Sequence, residues 1–135
     1  MAIQMSMGVR NARLDSIETT VGASARLRLY TGAPPADCAA LETGALLVEF
    51  ILAADWSAAA AGASKSLSSL PLNAAAIAAG NAAHFRLYDS SGLVCHYQGS
   101  VSATGGGGDM TLDNVNIAVS QSVSILSFAI LEGNA

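Results

Sequence analysis

The feature that most constrains the fold is a pair of alternating segments around a short turn that contains glycine. Residues 82–89 and 93–100 flank Ser90-Ser91-Gly92. A three-residue turn that ends in glycine is typical of a β-hairpin whose last turn residue is left-handed. Alternation with a period of two places every second side chain on one face of a strand. These segments therefore predict a hairpin rather than a helix.

The same turn predicts a register in which most large apolar side chains share one inward face. The pairs on that face are Phe85 with Tyr97 and Leu87 with Cys95. The pairs on the outward face are His84 with Gln98, Arg86 with His96 and Tyr88 with Val94. Because a slip by one residue would reverse the two faces, this agreement supports the register.

Other short segments predict further strands and turns. Trp56 anchors a loop over residues 53–64, and residues 71–80 form an alanine-rich connection with room for one helical turn. The glycine run at 105–108 predicts a flexible hairpin tip. The further predicted strands are 25–30, 45–52, 66–70, 110–112, 115–119 and 123–131, the last with a bulge near Ile125 and Leu126. About eight short strands separated by turns favour an all-β fold, a jelly-roll β-sandwich.

The N-terminal segment has a different pattern. Apolar residues recur at roughly helical spacing over residues 9–21, and Gly22 follows as a stop signal. We expect a short helix here, with an extended arm as the alternative. The length of 135 residues predicts one domain, 1–135, with this arm or helix over 1–23 and the β-sandwich over 24–135.

Composition argues against several classes of protein. Hydrophobic types make up 52% of the chain and charged types 12%, with a net charge of −4 and Lys65 as the only lysine. Nucleic-acid binding requires clustered cations, so we expect no nucleic-acid partner. No segment reaches the ~18 consecutive apolar residues of a membrane helix, and the first residues lack the pattern of a secretory signal. We therefore expect Cys38 and Cys95 to be reduced, small buried side chains, with a disulfide or ligand role as the alternative.

The sequence contains no recognisable motif for catalysis or for metal binding. The chain contains no Gly-x-Ser-x-Gly elbow, and Cys95 and His96 are adjacent in a strand, so their side chains point to opposite faces. His84 and His96 are the two plausible metal ligands on the outward face of the hairpin, whereas a metal site needs three or four. We predict no enzyme activity, no cofactor and no metal.

Two segments of similar sequence predict a surface for binding protein. Residues 27–31 and 85–89 share the form of two inward apolar residues with an outward arginine and tyrosine. The shared outward face would carry Arg26, Arg28, Tyr30, His84, Arg86 and Tyr88. Arginine and tyrosine are favoured at protein interfaces. The alternative is that these are merely two similarly placed strands of one sandwich.

The strand over 45–52 is apolar on both faces. Leu47 and Ile51 lie on its second face, so this face must be covered by the N-terminal segment or by a neighbouring subunit. We therefore add Leu47 and Ile51 to the candidate interface.

The layout as a whole resembles that of a known group of proteins. The segments concerned are Leu-Arg-Leu-Tyr-Thr-Gly (27–32), the apolar strand at 46–52 with its Ala-Ala-Ala-Gly sequel, Phe-Arg-Leu-Tyr-Asp-Ser-Ser-Gly (85–92), the glycine-rich tip ending in Asp109, and Ile-Ala-Val-Ser-Gln-Ser-Val-Ser-Ile (117–125). Over residues 24–131 the chain resembles the capsid cement (decoration) proteins of tailed phages, of the Bordetella short-tailed phage type. The resemblance is one of layout, and no single motif in it is diagnostic.

This resemblance implies a jelly-roll protein made in the host bacterial cytoplasm and located on the exterior of the virion capsid. It implies homodimers that bridge neighbouring subunits of the major capsid protein, and it implies no catalytic residue. Two alternatives remain open. One is a tail, baseplate or fibre β-sandwich of a phage, and the other is a carbohydrate-binding sandwich, which would need exposed aromatic side chains.

Overall fold

The structure is a computed structural model that describes residues 3–133. In this part of the chain, one helix precedes nine strands, and the strands form a curled mixed sheet. The predicted sheet-rich fold with an N-terminal helix is therefore confirmed. The elements are α1 (Met7–Val21), β1 (Arg26–Thr31), β2 (Leu46–Ile51), β3 (Ser64–Ser66), β4 (Leu72–Ala75), β5 (Gly80–Tyr88), β6 (Cys95–Ala103), β7 (Met110–Leu112), β8 (Asn116–Ile117) and β9 (Ser122–Leu131). Residues 1–2 and 134–135 of the predicted domain lie outside the described residues.

The helix α1 confirms the prediction for residues 9–21. It begins earlier than predicted because Ser6 caps it: the Val9 amide donates to the Ser6 hydroxyl at 3.3 Å. Gly22 follows its last residue, as expected. Leu14 and Val21 are buried, so α1 packs onto the rest of the protein rather than extending as an arm.

The strands form one sheet in the order β2-β1-β5-β6-β7-β9-β3, with β4 paired to β9 and β8 paired to β5. The sheet is mixed because β6 and β7 are parallel. It is curled because β2 contacts β4, and the Ile77 amide donates to the Leu47 carbonyl at 2.8 Å. The core lies inside the curl and includes Leu27, Leu29, Val48, Phe50, Phe85, Leu87, Met110, Leu112, Val123, Ile125 and Phe128.

The predicted hairpin exists as β5 and β6, but its predicted register is wrong. Phe85 lies opposite Gly99 instead of Tyr97, and Leu87 lies opposite Tyr97 instead of Cys95. A β carbon on Gly99 would lie 2.8 Å from the Phe85 ring, so the phenyl group needs a glycine as its neighbour. Because the displacement is even, Phe85 and Leu87 still face the core as predicted.

The predicted outward pairs of the hairpin are also wrong, because β6 is displaced along β5 relative to the predicted register. The observed pairs are His84 with Ser100, Arg86 with Gln98 and Tyr88 with Cys95. The predicted partners were Gln98, His96 and Val94. A bulge between Leu87 and Tyr88 moves Cys95 from the core side of the hairpin to the side of Tyr88.

The glycine-rich segment is not the predicted hairpin tip, since the strands it connects are parallel. The Asp109 carboxylate accepts from the amide and from the hydroxyl of Ser100, both at 2.9 Å. The Gly108 amide donates to the Ser102 hydroxyl at 2.9 Å, and a β carbon on Gly108 would lie 2.7 Å from the Ser102 nitrogen. The loop therefore folds back against β6, and this approach requires glycine.

The remaining predictions were met in part. The bulge in β9 is confirmed, because Thr111 pairs with Ser127 while Leu112 pairs with Ile125. The strand predicted over 66–70 lies earlier, as β3. The connection predicted over 71–80 contains the strand β4 instead of a helical turn, because its backbone pairs with β9.

Trp56 anchors the loop after β2, as predicted. Its side chain is buried, and its indole N–H donates to the Gly22 carbonyl at 2.9 Å. This hydrogen bond ties the loop to the end of α1.

Residues 32–45 connect β1 to β2 and lie across β5 and β6. We call this segment the strap. Strand β1 ends at Thr31, shortly before Pro34 and Pro35, and the sequence did not predict where the following residues go. The base of the strap is closed by Thr31, whose amide donates to the Ala45 carbonyl at 3.1 Å and whose hydroxyl accepts from the Ala45 amide at 2.9 Å.

Candidate functional site

The structure brings the six residues of the predicted Arg/Tyr face together. β1 and β5 are adjacent and antiparallel, and their register pairs Arg26 with Tyr88, Arg28 with Arg86 and Tyr30 with His84. The two similar segments therefore lie side by side, as neighbouring strands of one sheet.

The prediction that this face is exposed is wrong for four of the six residues. The buried ones are Tyr30, His84, Arg86 and Tyr88, with 3% or less of each residue exposed. The strap covers them. Arg26 and Arg28 remain partly exposed, at 33% and 18% of their side chains.

The two apolar interface candidates on β2 behave differently. Leu47 is buried, so its side of β2 is covered, as predicted. The cover is Gly80 and the segment before it, however, and not the predicted N-terminal segment or neighbouring subunit. Ile51 is 65% exposed and remains available to a partner.

The strap is held to the sheet by side-chain nitrogens that donate to strap carbonyls. The donor–acceptor pairs are His84 Nδ1 to Gly32 (2.7 Å), Gln98 Nε2 to Pro35 (2.8 Å), and Arg86 Nη2 to Cys38 (2.9 Å) and to Ala40 (2.9 Å). A carbonyl only accepts, so the proton in the first of these bonds lies on Nδ1. Any residue supplies such a carbonyl, so the attachment depends little on the side chains of the strap.

Three buried polar atoms under the strap lack a protein partner. They are His84 Nε2, Arg86 Nε and Gln98 Oε1. A buried polar atom without a partner costs about 1–3 kcal/mol relative to the same atom in water. The closed strap is therefore less stable than its four hydrogen bonds suggest.

Tyr88 lies at the centre of this covered face. The Arg28 guanidinium carbon lies 4.7 Å from the centre of the Tyr88 ring and the Arg86 carbon 5.5 Å, both within cation–π range. The phenol oxygens of Tyr30 and Tyr88 are 3.3 Å apart, and the Tyr30 ring stacks on His84 at 5.2 Å. Burial is the main reason that the pKa of Tyr88 is raised, and the hydrogen bond with Tyr30 adds to this shift.

The accessible rim of the face is an ion-pair cluster. Arg28 Nε and Arg26 Nη1 lie 2.6 Å and 2.8 Å from the two carboxylate oxygens of Glu49. Burial is the largest influence on Glu49 and opposes its charge, but the two arginines outweigh it and lower the pKa of the carboxyl. These groups neutralise one another and leave one net positive charge at the rim.

A cleft of about 580 Å³ lies between α1 and the loop after β2. Its buried base is Lys65, whose Nζ lies 2.9 Å from Asp15 Oδ1, 3.4 Å from Glu18 Oε2 and 2.9 Å from the Ala58 carbonyl oxygen. These three acceptors match the three protons of an ammonium group. Lys65 therefore fastens α1 to β3 and leaves no donor for a ligand.

The two histidines do not share an exposed outward face of the hairpin, so this prediction is wrong. His84 is buried under the strap, whereas His96 lines a separate cleft of about 250 Å³ beside Ile17 of α1. Within residues 3–133, no cluster of three or more His, Cys, Asp or Glu side chains is placed to ligate a metal ion.

Two important residues were missed by the sequence reasoning. Lys65 could have been flagged as the only lysine in an otherwise neutral, serine-rich segment, but its acidic partners lie on the distant helix. Gln98 was expected opposite His84, and no local pattern indicates that its amide reaches the strap.

Comparison of the chain with protein-family models, with curated proteins and with solved structures found no match. Among the described residues, no helix combines the length and apolar character that a bilayer crossing requires.

Proposed function

We propose that this protein is a virion structural protein that binds the outside of a tailed-phage capsid and cements neighbouring subunits of the major capsid protein. In this proposal the curled sheet is a variant of the jelly-roll sandwich, and the protein acts as a homodimer. The resemblance of the layout over residues 24–131 to that of cement proteins supports the proposal. The observation of the structure that carries it is a group of exposed apolar side chains beside β2.

We call this group the β2-edge patch. It consists of Ile51, Ile77 and Val119, which are 65%, 62% and 60% exposed. The Ile77 amide donates to the Leu47 carbonyl of β2 at 2.8 Å, and a second backbone hydrogen bond of 2.9 Å links the segments that carry Ile77 and Val119. Ile51 lies four residues along β2 from Leu47, so the three side chains are spread along this edge of the sheet. Exposed apolar side chains at an edge favour association with another protein surface.

The patch suits contact between two copies of this chain. A C2 dimer uses the same surface on both partners, so an apolar patch is self-complementary without any charge pairing. Arg26 lies opposite Ile51 in the β1–β2 register, and with Arg28 and Glu49 it forms a polar rim beside the patch. In the proposal, this rim faces the capsid.

Dimerisation explains how weak contacts could cement a shell. A dimer that binds two neighbouring capsomers gains avidity, because the second contact forms at high effective concentration. Binding to the assembled shell in preference to free subunits then stabilises the shell by linkage.

The structure disfavours the carbohydrate-binding alternative. Such modules stack sugar rings on exposed aromatic side chains, whereas Trp56, Tyr30 and Tyr88 are buried. A tail, baseplate or fibre location is distinguished by the experiment below.

The test is to mix the purified protein with heads assembled from the major capsid protein of the same phage and to measure co-sedimentation. We expect saturable binding at a fixed copy ratio to the shell subunit. The double variant Ile77→Asp/Val119→Asp should be monomeric by analytical ultracentrifugation and should bind heads at least about tenfold more weakly. Leu131→Asp is the matched control, because Leu131 is 73% exposed but lies on β9 beside β3.

Two results would contradict the proposal. One is the absence of binding to heads, and gold-labelled protein found on tails instead would support the alternative virion part. The other is a double variant that sediments and binds as the unmodified protein does, which would remove the β2-edge patch from the interface.

A further inference from the structure

The two cysteines lie on opposite sides of the contact between the strap and the sheet. Cys38 belongs to the strap, and its carbonyl accepts from Arg86 Nη2 at 2.9 Å. Cys95 is the first residue of β6 and pairs with Tyr88 of β5. The Arg86 guanidinium carbon lies 5.5 Å from the centre of the Tyr88 ring. The strap at Cys38 therefore lies over the part of the sheet where Cys95 pairs with Tyr88.

The two thiol groups are also neighbours of each other. Burial raises the pKa of the Cys95 thiol to about 11, and its contact with the Cys38 thiol adds to this shift. Both thiols are free, and both residues are partly exposed, so a small oxidant can reach them. The bulge after Leu87 creates this arrangement, because it turns Cys95 away from the core and toward the strap.

We propose that Cys38 and Cys95 form an intramolecular disulfide under oxidising conditions and that this bond fastens the strap over the buried Arg/Tyr face. The noncovalent attachment leaves His84 Nε2, Arg86 Nε and Gln98 Oε1 without partners. Opening the strap would hydrate these atoms, and this offsets part of the cost of breaking its hydrogen bonds. A covalent bond between the strap and the sheet would keep the strap closed, whatever the balance between hydration of these atoms and loss of the hydrogen bonds.

A low-molecular-weight disulfide such as oxidised glutathione is the oxidant. The Cys38 thiolate attacks one sulfur of glutathione disulfide, and one glutathione thiolate leaves and takes up a proton. The Cys95 thiol then loses its proton and attacks the Cys38 sulfur of the mixed disulfide, so that the second glutathione leaves. Two protein thiols are oxidised, one glutathione disulfide is reduced, and two glutathione thiols are released.

Each attack requires a thiolate, so we expect the oxidation to accelerate as the pH is raised from about 7 to about 9. This inference does not depend on the proposed role in a phage head, because it concerns only the chain itself.

The test uses the purified full chain, first reduced and then incubated with oxidised glutathione. Intact-mass measurement should show the loss of two hydrogen atoms without added glutathione, and peptide mapping should find Cys38 linked to Cys95. Cys95→Ser should accumulate a glutathione adduct on Cys38, since the resolving thiol is missing. Persistent free thiols, stable glutathione adducts on the unmodified chain or intermolecular dimers would each overturn the disulfide.

A second measurement tests whether the bond fastens the strap. Hydrogen exchange of amides in residues 36–42 should be at least about tenfold slower in the oxidised than in the reduced protein. Oxidant should leave exchange unchanged in Cys38→Ser, which keeps the Cys38 carbonyl contact. If the disulfide forms and exchange in the strap stays the same, the fastening role is wrong.

Discussion

The helix α1 and the strap are two outer segments fastened to the same curled sheet by contacts of different kinds. α1 inserts the apolar side chains of Leu14 and Val21, and its carboxylates Asp15 and Glu18 meet Lys65. Here the side chains of both partners decide the contact. The attachment therefore depends on the sequence of the helix and on the sequence of the sheet.

The strap is attached through its backbone. Arg86 and Gln98 donate to carbonyls, and Pro35 is the one strap side chain among the described residues that is buried. The sheet provides all of the specific side chains except that proline. The helix α1 is therefore held by burial and paired charges, whereas the strap is held by donors whose loss would release it without opening the core.

The largest effect is expected for a cavity under α1. Leu14→Ala should lower the free energy of unfolding by about 2–5 kcal/mol, because Leu14 is 1% exposed and its removal leaves a void. Urea denaturation measures this change. Val9→Ala, on the exposed side of α1, is the control and should change stability by less than about 0.5 kcal/mol. Equal effects of the two substitutions would mean that α1 does not contribute to the core.

The next effect concerns the strap. Arg86→Met should cost about 1–3 kcal/mol, because it leaves the Cys38 and Ala40 carbonyls without donors. Most of the change should appear locally, as faster hydrogen exchange in residues 36–42. Arg13→Met is the control, since that side chain is 60% exposed on α1. A strap that stays protected in Arg86→Met would show that its other contacts suffice.

The sequence predicted α1 and the shared Arg/Tyr face because both rest on local periodicity. Helical spacing and Gly22 define the helix, and alternation places Arg28 and Arg86 on the same side of neighbouring strands. The inward side chains of β5 followed from the same rule. These features need no knowledge of distant parts of the chain.

The burial of that face could not be predicted, since its cover comes from another segment. The strap carbonyls that accept from Arg86 carry no sequence signal. The hairpin register failed because the bulge at Tyr88 and the close contact between Gly99 and Phe85 depend on packing rather than on the turn. Polar residues at alternate positions were therefore interpreted as exposed when they are covered.

A smaller effect on stability is expected from the charged contacts of α1, and it should depend on pH. A backbone hydrogen bond from Ala60, followed by the bond from Lys65, lowers the pKa of Asp15 below 3.8. Burial opposes the charge of Glu18, but hydrogen bonds from Ser57 and the charge of Lys65 outweigh it and lower its pKa below 4.5. Both carboxylates therefore stabilise the folded state above these values, and this contribution is lost as the pH falls through the lowered pKa values.

The measurement is the urea midpoint between about pH 6 and about pH 3. The unmodified protein should lose stability on acidification more steeply than Asp15→Asn/Glu18→Gln. Asp113→Asn, a carboxyl outside the Lys65 cluster, is the control and should keep the steep profile. Identical slopes in the double variant and the unmodified protein would show that these carboxylates do not couple to folding.

The smallest effect is expected at the rim of the face, where the Arg26 side chain is partly exposed to solvent, unlike that of Arg86. Arg26→Ala should cost at most about 1 kcal/mol, because its side chain is 33% exposed and solvent screens its pair with Glu49. Arg28 remains 2.6 Å from the same carboxylate and keeps it compensated. The urea midpoint of Arg26→Ala should therefore lie much closer to that of the unmodified protein than the midpoint of Arg86→Met does. If the two arginine variants lost equal stability, cover by the strap would not be what distinguishes Arg86 from Arg26.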